Sequence, residues 1–278
     1  MYKASVIISF YNELERLKLV LASLANQTFQ DFEVIIADDG SEKTVVEKLK
    51  KTIGQSSLKI RHIWHADKGF RKTTILNKAV VESESDYLVF IDGDCILHSR
   101  FIEEHIKNKK NRTVLAGKRV NLTKNISDNL TLKKVRNRNL EKYYFIYFVV
   151  AFFTPFREKR RKHLKNGIYV KNDLFRKLAN KKKKDILGSN FSLYKTDLMA
   201  INGFDERYKH PSTGEDSDIC MRLKNNGINI QTIKHIAVQY HLYHRVQERD
   251  QANTLIYKDN RENNRVYTPY GIYKDSNL

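Results

Sequence analysis

The chain opens on an apolar, β-branched run, Ala4–Phe10 (ASVIISF), short enough to read as a buried strand. Leu14, Leu17, Leu21 and Leu24 then recur at helical spacing, and Asn12 stands where a helix cap belongs. Residues 32–37 (FEVIIA) predict a second strand that ends in Asp38-Asp39-Gly40-Ser41. A helix to about Lys51, a strand near 58–64, a helix near 73–81 and a strand over 87–91 (YLVFI) follow. The last of these ends in Asp92-Gly93-Asp94. Strand and helix alternating in this rhythm predict a mostly parallel α/β sheet flanked by helices on both faces. Ligands of such sheets collect at the carboxyl ends of the strands, so the two acidic turns are expected to face one crevice.

The middle of the chain breaks the rhythm. Residues 143–156 (YYFIYFVVAFFTPF) are 14 mostly apolar positions, followed at once by REKRRKHLK. The globular pattern returns after Lys184, with DILGSNFSLYKTDLMAINGFDERY and then HPSTGEDSDICMRLKNNG. No internal repeat or Gly/Ser-rich linker interrupts it, and the polar, tyrosine-containing last two dozen residues predict no element.

Length and composition narrow the classes. A chain of 278 residues with 41% hydrophobic positions buries a large core, which excludes wholesale disorder. No apolar run reaches the ~18 residues of a membrane-spanning helix. The N-terminus lacks the basic region and small-residue cleavage site of a signal peptide, and two cysteines, Cys95 and Cys220, make no disulfide framework. A cytoplasmic location is therefore expected. The net charge of +19 is local: 18 basic and 3 acidic residues between Lys133 and Lys184 give +15, leaving +4 for the rest. Such a patch implies an anionic partner.

Four constellations could carry chemistry. Asp92 and Asp94, one glycine apart after a strand, suit a hard divalent cation and substrate phosphates, although Asp-Gly is also ordinary turn chemistry. Asp38 or Asp39 could accept from a base or a ribose hydroxyl, or serve with Ser41 as a helix cap. Glu215, Asp216 and Asp218 precede an apolar helix; they either complement its dipole or supply a general base whose pKa is raised by like charges. His241 and His244 follow a strand-like stretch and are either metal ligands or satisfied polar residues.

The opening SVIISFYNELERLKLVLASLANQTFQDFEVIIADDGS resembles the nucleotide-binding start of family 2 glycosyltransferases, which have the GT-A fold. DKGFRKTTILNKA, the DGD turn and GFDERY...GEDSDICMRL are similar to later motifs of that family, the last to its galactosyltransferase-type C-terminal part. The match covers about residues 3–110 and 186–245, with the motifs in the expected order. The resemblance implies a GT-A catalytic domain over 1–245, divided into a nucleotide-binding half (1–110), a variable acceptor or membrane insertion (120–185) and an acceptor and catalytic half (186–245), with a C-terminal extension over 246–278. It implies that Ser9 and Phe10 lie against uridine, that Asp39 and Asp38 hold the uracil or ribose, and that Lys68, Arg71 and Asn77 belong to the donor side. It implies Asp92, with Gly93 beside it, at the ribose and metal, Asp94 and His244 as ligands of Mn²⁺ or Mg²⁺, and Gly188 and Asn190 along the donor sugar. Glu215 and Asp216 match the catalytic acid pair, with Asp216 as base; His241 stands close enough to compete with His244 as ligand.

The expected activity is inverting, metal-dependent transfer of a hexose or N-acetylhexosamine from a UDP-sugar to a hydroxyl of a glycan or lipid-linked glycan. A non-enzymatic membrane- or polyanion-binding protein on the same scaffold is the rival, and a nucleotidyltransferase is a rival among enzymes. Residues 143–156 are either a core helix or an interfacial element; six basic residues from Arg157 to Lys165 favour an anionic membrane surface at the inner face of the cell. Nucleic acid is set aside because no recognised binding signature accompanies the charge.

Overall fold

The computed structural model describes residues 1–153, 164–180, 185–211, 214–244 and 251–274, with the side chains of 150–153 excepted. In chain order the elements are β1 (Ala4–Phe10), α1 (Leu14–Ala25), β2 (Phe32–Asp38), α2 (Lys43–Gly54), β3 (Ile60–Trp64), α3 (Lys72–Glu82) and β4 (Tyr87–Asp92). Then come β5 (Cys95–Leu97), α4 (Phe101–Asn108), β6 (Thr113–Ala116), β7 (Lys118–Asn121), α5 (Lys124–Asp128), α6 (Leu132–Arg136) and α7 (Asn139–Phe153). The chain continues through α8 (Asp173–Ala179), β8 (Asn190–Tyr194), α9 (Lys195–Met199), α10 (Glu215–Asn225), β9 (Asn229–Thr232), β10 (Val238–His241) and α11 (Gln251–Glu262).

Seven strands form the main sheet in the order β3-β2-β1-β4-β8-β6-β9. The pairs β3-β2, β2-β1, β1-β4 and β6-β9 are parallel, and only β8 runs against its neighbours. Alternation along the strands sorts the core into two layers. Val6, Ile8, Val34 and Ile36 face α1 and α2; Ile7, Ile35 and Ala37 face α3 and, farther along the sheet, α10. Both faces are covered, which is why these strands read as continuous apolar runs.

A second sheet, β5-β10-β7, was not legible in the sequence. Its register pairs His241 with Cys95 on one side and with Asn121 on the other. That pairing brings residues about 150 positions apart to the mouth of β4. One local expectation changes: Asn12 does not cap α1. It adopts φ 56°, its N–H donates to Ser41 Oγ (2.8 Å), and its Oδ1 accepts from Glu42 N–H (2.9 Å), tying α1 to the start of α2. Among the described residues no helix is long and apolar enough to cross a membrane.

Candidate active site

A cleft of about 840 Å³ opens at the carboxyl ends of β1, β2 and β4. Ser9, Phe10, Asp39, Asp92, Gly93, Asp94, Gly188, Glu215, Asp216, His241 and His244 all line it. Tertiary structure thus gathers most of the candidate residues around one space.

At one end, His241 Nε2 and His244 Nε2 lie 3.2 and 3.3 Å from Asp94 Oδ2 and 3.1 Å from each other. Burial alone would push the Asp94 pKa up, but the hydrogen bonds with the two imidazoles hold it well below the usual carboxylate range. An octahedral shell with donors about 2.2 Å from an ion has edges of about 3.1 Å, so these three atoms match one face of such a shell. Asp92, Asp94 and Cys95 form a second acidic group. Burial pushes the Cys95 thiol pKa well up, so the sulfur stays protonated and is a poor ligand. The first trio fits a divalent ion better.

The centre of the cleft is a charge cluster. Lys72, at the first turn of α3, places Nζ 3.0 Å from Asp92 Oδ1, which also accepts from Ser9 Oγ at 2.6 Å. Arg119 Nη1 approaches Asp92 Oδ2 at 3.8 Å. Burial works against the Lys72 charge, but Asp92, then Glu215 and Asp216, outweigh it and hold its pKa above the ordinary lysine value. Burial likewise opposes ionisation of Asp92, and Lys72 reverses the balance, leaving its pKa low.

Glu215 and Asp216 begin α10. Gly214 precedes them at φ 134°, and a Cβ there would stand 2.6 Å from the Tyr208 ring, so only glycine makes this entry. Burial and then the Asp216 charge push the Glu215 pKa up to about 7. Burial also raises Asp216, against the pull of Lys72 and of the Gly188 N–H, which donates to Asp216 Oδ2 at 2.8 Å. A Cβ on Gly188 would meet Asp216 Oδ1 at 2.2 Å; the carboxylate is seated on bare backbone.

Five candidates stand elsewhere. Asp38 is fully buried, accepting from Ser41 N–H (2.8 Å) beside His62 Nε2 (2.9 Å), and so shapes the turn rather than the cleft wall. Lys68 lies on an exposed bend before Gly69. Arg71 offers its backbone N–H to Asp39 Oδ2 (2.8 Å) and turns its guanidinium to the Ala66 carbonyl. Asn77 is buried, donating to Phe204 O and Glu206 Oε1 and accepting from Phe204 N–H. Asn190 is buried, donating to the carbonyls of Lys118 and Ala237. Backbone groups of the interior take the side chains of Asp38, Asn77 and Asn190, whereas Lys68 stays exposed and the Arg71 guanidinium is held by a loop carbonyl outside the cleft.

Lys72, Arg119 and Asn121 line the cleft and were missed. Lys72 adjoins Arg71, and only the point where α3 begins decides which side chain turns inward. Arg119 and Asn121 had no signal beyond alternation along β7. Asp39 reaches the cleft with both oxygens engaged, by His65 Nε2 (2.8 Å) and by the Arg71 N–H.

The last described residues brace α10. Asn260, fully buried, donates to Asp218 Oδ1 (2.7 Å) and Asp205 Oδ2 (3.3 Å), and Thr268 Oγ1 donates to Asp205 Oδ2 (3.0 Å). Asp218 in turn accepts from Arg222 Nε at 2.7 Å inside the core.

Two family models match: glycosyl transferase family 2 over residues 5–182, and the N-terminal domain of galactosyltransferase over 175–245. The first spans well over half of the chain. The chain belongs to glycosyl transferase family 2. Among curated relatives of the family, the chondroitin synthase of Escherichia coli is 25% identical over 244 residues, covering 85% of this chain and 34% of its own length. The poly(ribitol-phosphate) beta-N-acetylglucosaminyltransferase TarP of Staphylococcus aureus is 29% identical over 127 residues, covering 42% of this chain and 37% of its own. Among solved structures, S. aureus TarS in complex with UDP-GlcNAc superposes with a TM-score of 0.53 at 19% identity, over 88% of this chain and 60% of that one. The fold is the GT-A fold of that neighbour. The chain spans only about a third of either curated relative.

Proposed function

We propose that the protein is an inverting glycosyltransferase that moves a hexose or N-acetylhexosamine from a UDP-sugar to a hydroxyl of a glycan or lipid-linked glycan, in the synthesis of a surface polysaccharide. The observation that carries this reading is the arrangement across one cleft: the trio Asp94, His241 and His244 at one side, and Asp216 seated on the Gly188 amide at the other. The similarity to a chondroitin synthase and to a poly(ribitol-phosphate) N-acetylglucosaminyltransferase supports the substrate class.

Ser9, Phe10 and Asp39 would hold uridine at the ends of β1 and β2. A divalent ion held by Asp94, His241 and His244 would neutralise the diphosphate of the departing UDP. Two nitrogen donors favour a transition ion such as Mn²⁺ over Mg²⁺, which prefers an all-oxygen shell. Lys72 and Arg119 bracket Asp92, so the acidic floor carries balanced charge where a sugar diphosphate must sit. Asp216 accepts the proton of the acceptor hydroxyl; the Gly188 N–H fixes its orientation. Glu215, with its pKa near neutrality, retains a proton readily and relieves repulsion between the neighbouring carboxyls. One base, with no second nucleophile assigned among the described residues, implies inversion.

The excess of positive charge over residues 133–184 supports work at an anionic surface, the inner face of the cell membrane. Most of the basic cluster of 157–165, and residues 181–184, lie outside the described residues. A panel of UDP-sugars with Mn²⁺, read as UDP release with and without acceptor, tests the activity. Asp216→Asn should keep UDP affinity and lose about 10²–10⁴-fold in transfer. Normal transfer by Asp216→Asn with a dead Glu215→Gln would move the base to Glu215.

A further inference from the structure

The helix α8 is turned inside out. In a surface helix of a globular protein the apolar stripe faces the core and the charged face meets water. Here Arg176 faces inward. Its guanidinium donates to both oxygens of the buried Glu104 (2.7 and 3.2 Å), to Tyr169 Oη (2.8 Å) and, through Nε, to the Val170 carbonyl (2.6 Å). At the far end, Asn180 exchanges hydrogen bonds with the backbone of Lys234, at 3.0 and 2.8 Å. Asn172 caps the near end by accepting from the N–H groups of Leu174 and Phe175. The large apolar side chains are left outside: Leu174 is 65% exposed, Phe175 62% and Leu178 48%. At 100° per residue, Leu174 and Leu178 stand opposite Arg176, with Phe175 beside them.

The preceding helix in the chain, α7, repeats the arrangement in part. Tyr144 is buried and Tyr147 and Phe148 pack inward, while Tyr143, Phe145 and Ile146 are exposed. Both helices are pinned beside α4. Glu141 accepts from the Ser99 N–H (2.7 Å) and Oγ (2.8 Å) just before α4, and Arg176 grips Glu104 within it.

We propose that α8 is a membrane-insertion element: Leu174, Phe175 and Leu178 enter the interface of an anionic bilayer, and the ion pair of Arg176 with the buried Glu104 holds the helix in that orientation. The proposal rests on the membrane reading above and names the residues that enter the lipid. Charge complementarity selects the occupant. Lys171 and Lys177 are exposed at α8, Lys142 is exposed on α7, and four lysines at 181–184 follow α8 directly in the sequence. Lys171 and Lys177 flank the apolar face, and against them stands one exposed carboxylate on α8, Asp173; an apolar face in so basic a stretch of sequence suits acyl chains below anionic headgroups. A second copy of the chain suits it poorly, because a two-fold contact would set this basic region against itself.

The test uses the full chain and vesicles of phosphatidylcholine with or without phosphatidylglycerol. The wild type should float with the anionic vesicles, and the triple variant Leu174→Ser, Phe175→Ser, Leu178→Ser should bind them at least about tenfold more weakly. All three side chains are exposed, so UDP affinity measured by calorimetry should not change. Phe175→Trp should be quenched by brominated lipid beyond the quenching of the native Trp64. If the triple variant floats as the wild type does, α8 is not the insertion element and the membrane reading stands on α7 and the basic segment alone. If the wild type does not float, both fall. A dimer by light scattering that the triple variant loses would overturn the proposal in favour of self-association.

Discussion

Replacing Gly188 with alanine should disable transfer while leaving the donor nucleotide site intact. A Cβ at this position would stand 2.2 Å from Asp216 Oδ1 and 3.0 Å from its carboxyl carbon. Ordinary contact begins at about 3.4 Å, so the carboxylate must retreat by roughly 1 Å. The retreat also strains the 2.8 Å hydrogen bond from the Gly188 N–H. Misplacing a catalytic group by about 1 Å costs on the order of 10²-fold in rate. The expected variant therefore has kcat lowered about 10²-fold with UDP affinity within about twofold, because Ser9, Phe10 and the Asp94 trio lie apart from the clash. The assay is initial-rate UDP release at saturating donor, paired with calorimetry of UDP. Gly54→Ala, where a Cβ meets nothing within 4 Å, serves as the control. A double-mutant cycle sharpens the result: in an Asp216→Asn background, Gly188→Ala should add little further loss in rate. Wild-type kcat in Gly188→Ala, or losses that simply add in the cycle, would refute the placement of Asp216 as base.

Three further outcomes are expected. Asp94→Ala should abolish the Mn²⁺-dependent part of UDP affinity in calorimetry, since it removes the oxygen that both imidazoles face; unchanged metal dependence would sink the ligand assignment. Glu215 has a folded pKa of about 7 against an ordinary 4.5, so its contribution to stability is fully present at acid pH and is lost as pH rises through that interval, by on the order of 3 kcal/mol. Metal-free thermal melts should therefore show Glu215→Gln gaining stability over wild type at pH 8.5 but not at pH 4, and equal gains at both would contradict the shift. Asn260→Ala leaves buried Asp218 and Asp205 each short of a donor, which costs about 1–3 kcal/mol and should lower Tm by several degrees; a shift under about 1 °C would show that the C-terminal residues do not brace α10.

Much of the fold was legible because its signals are local. The buried strands β1, β2 and β4 read as apolar runs, and the acidic turns at the ends of β2 and β4 pointed to a site only in company, since Asp-Gly by itself is ordinary turn chemistry. The choice between His241 and His244 was not legible. Only the pairing of β10 with β5 and β7 brings His241 beside Cys95, and with it both imidazoles onto Asp94.

Where the reading of individual residues parted from the structure, the reason was competition for polar groups. Asn77 and Asn190 carry side chains able to bind a sugar, yet each is taken by backbone groups in the core: those of Phe204 for Asn77, and those of Lys118 and Ala237 for Asn190. Lys72 rather than Arg71 or Lys68 reaches the cleft because α3 starts at Lys72. The orientation of α8 shows the same limit. In a surface helix, apolar residues such as its Leu174, Phe175 and Leu178 ordinarily form the face turned to the core. The buried Glu104 claims Arg176 instead, and rotation about the helix axis is then no longer free. Periodicity along the chain determined which residues could form strands and helices. Which face of each element turned inward, and which carboxylates, imidazoles and cations met in one cleft, was decided by the long-range pairing that leaves the fewest buried polar groups without partners.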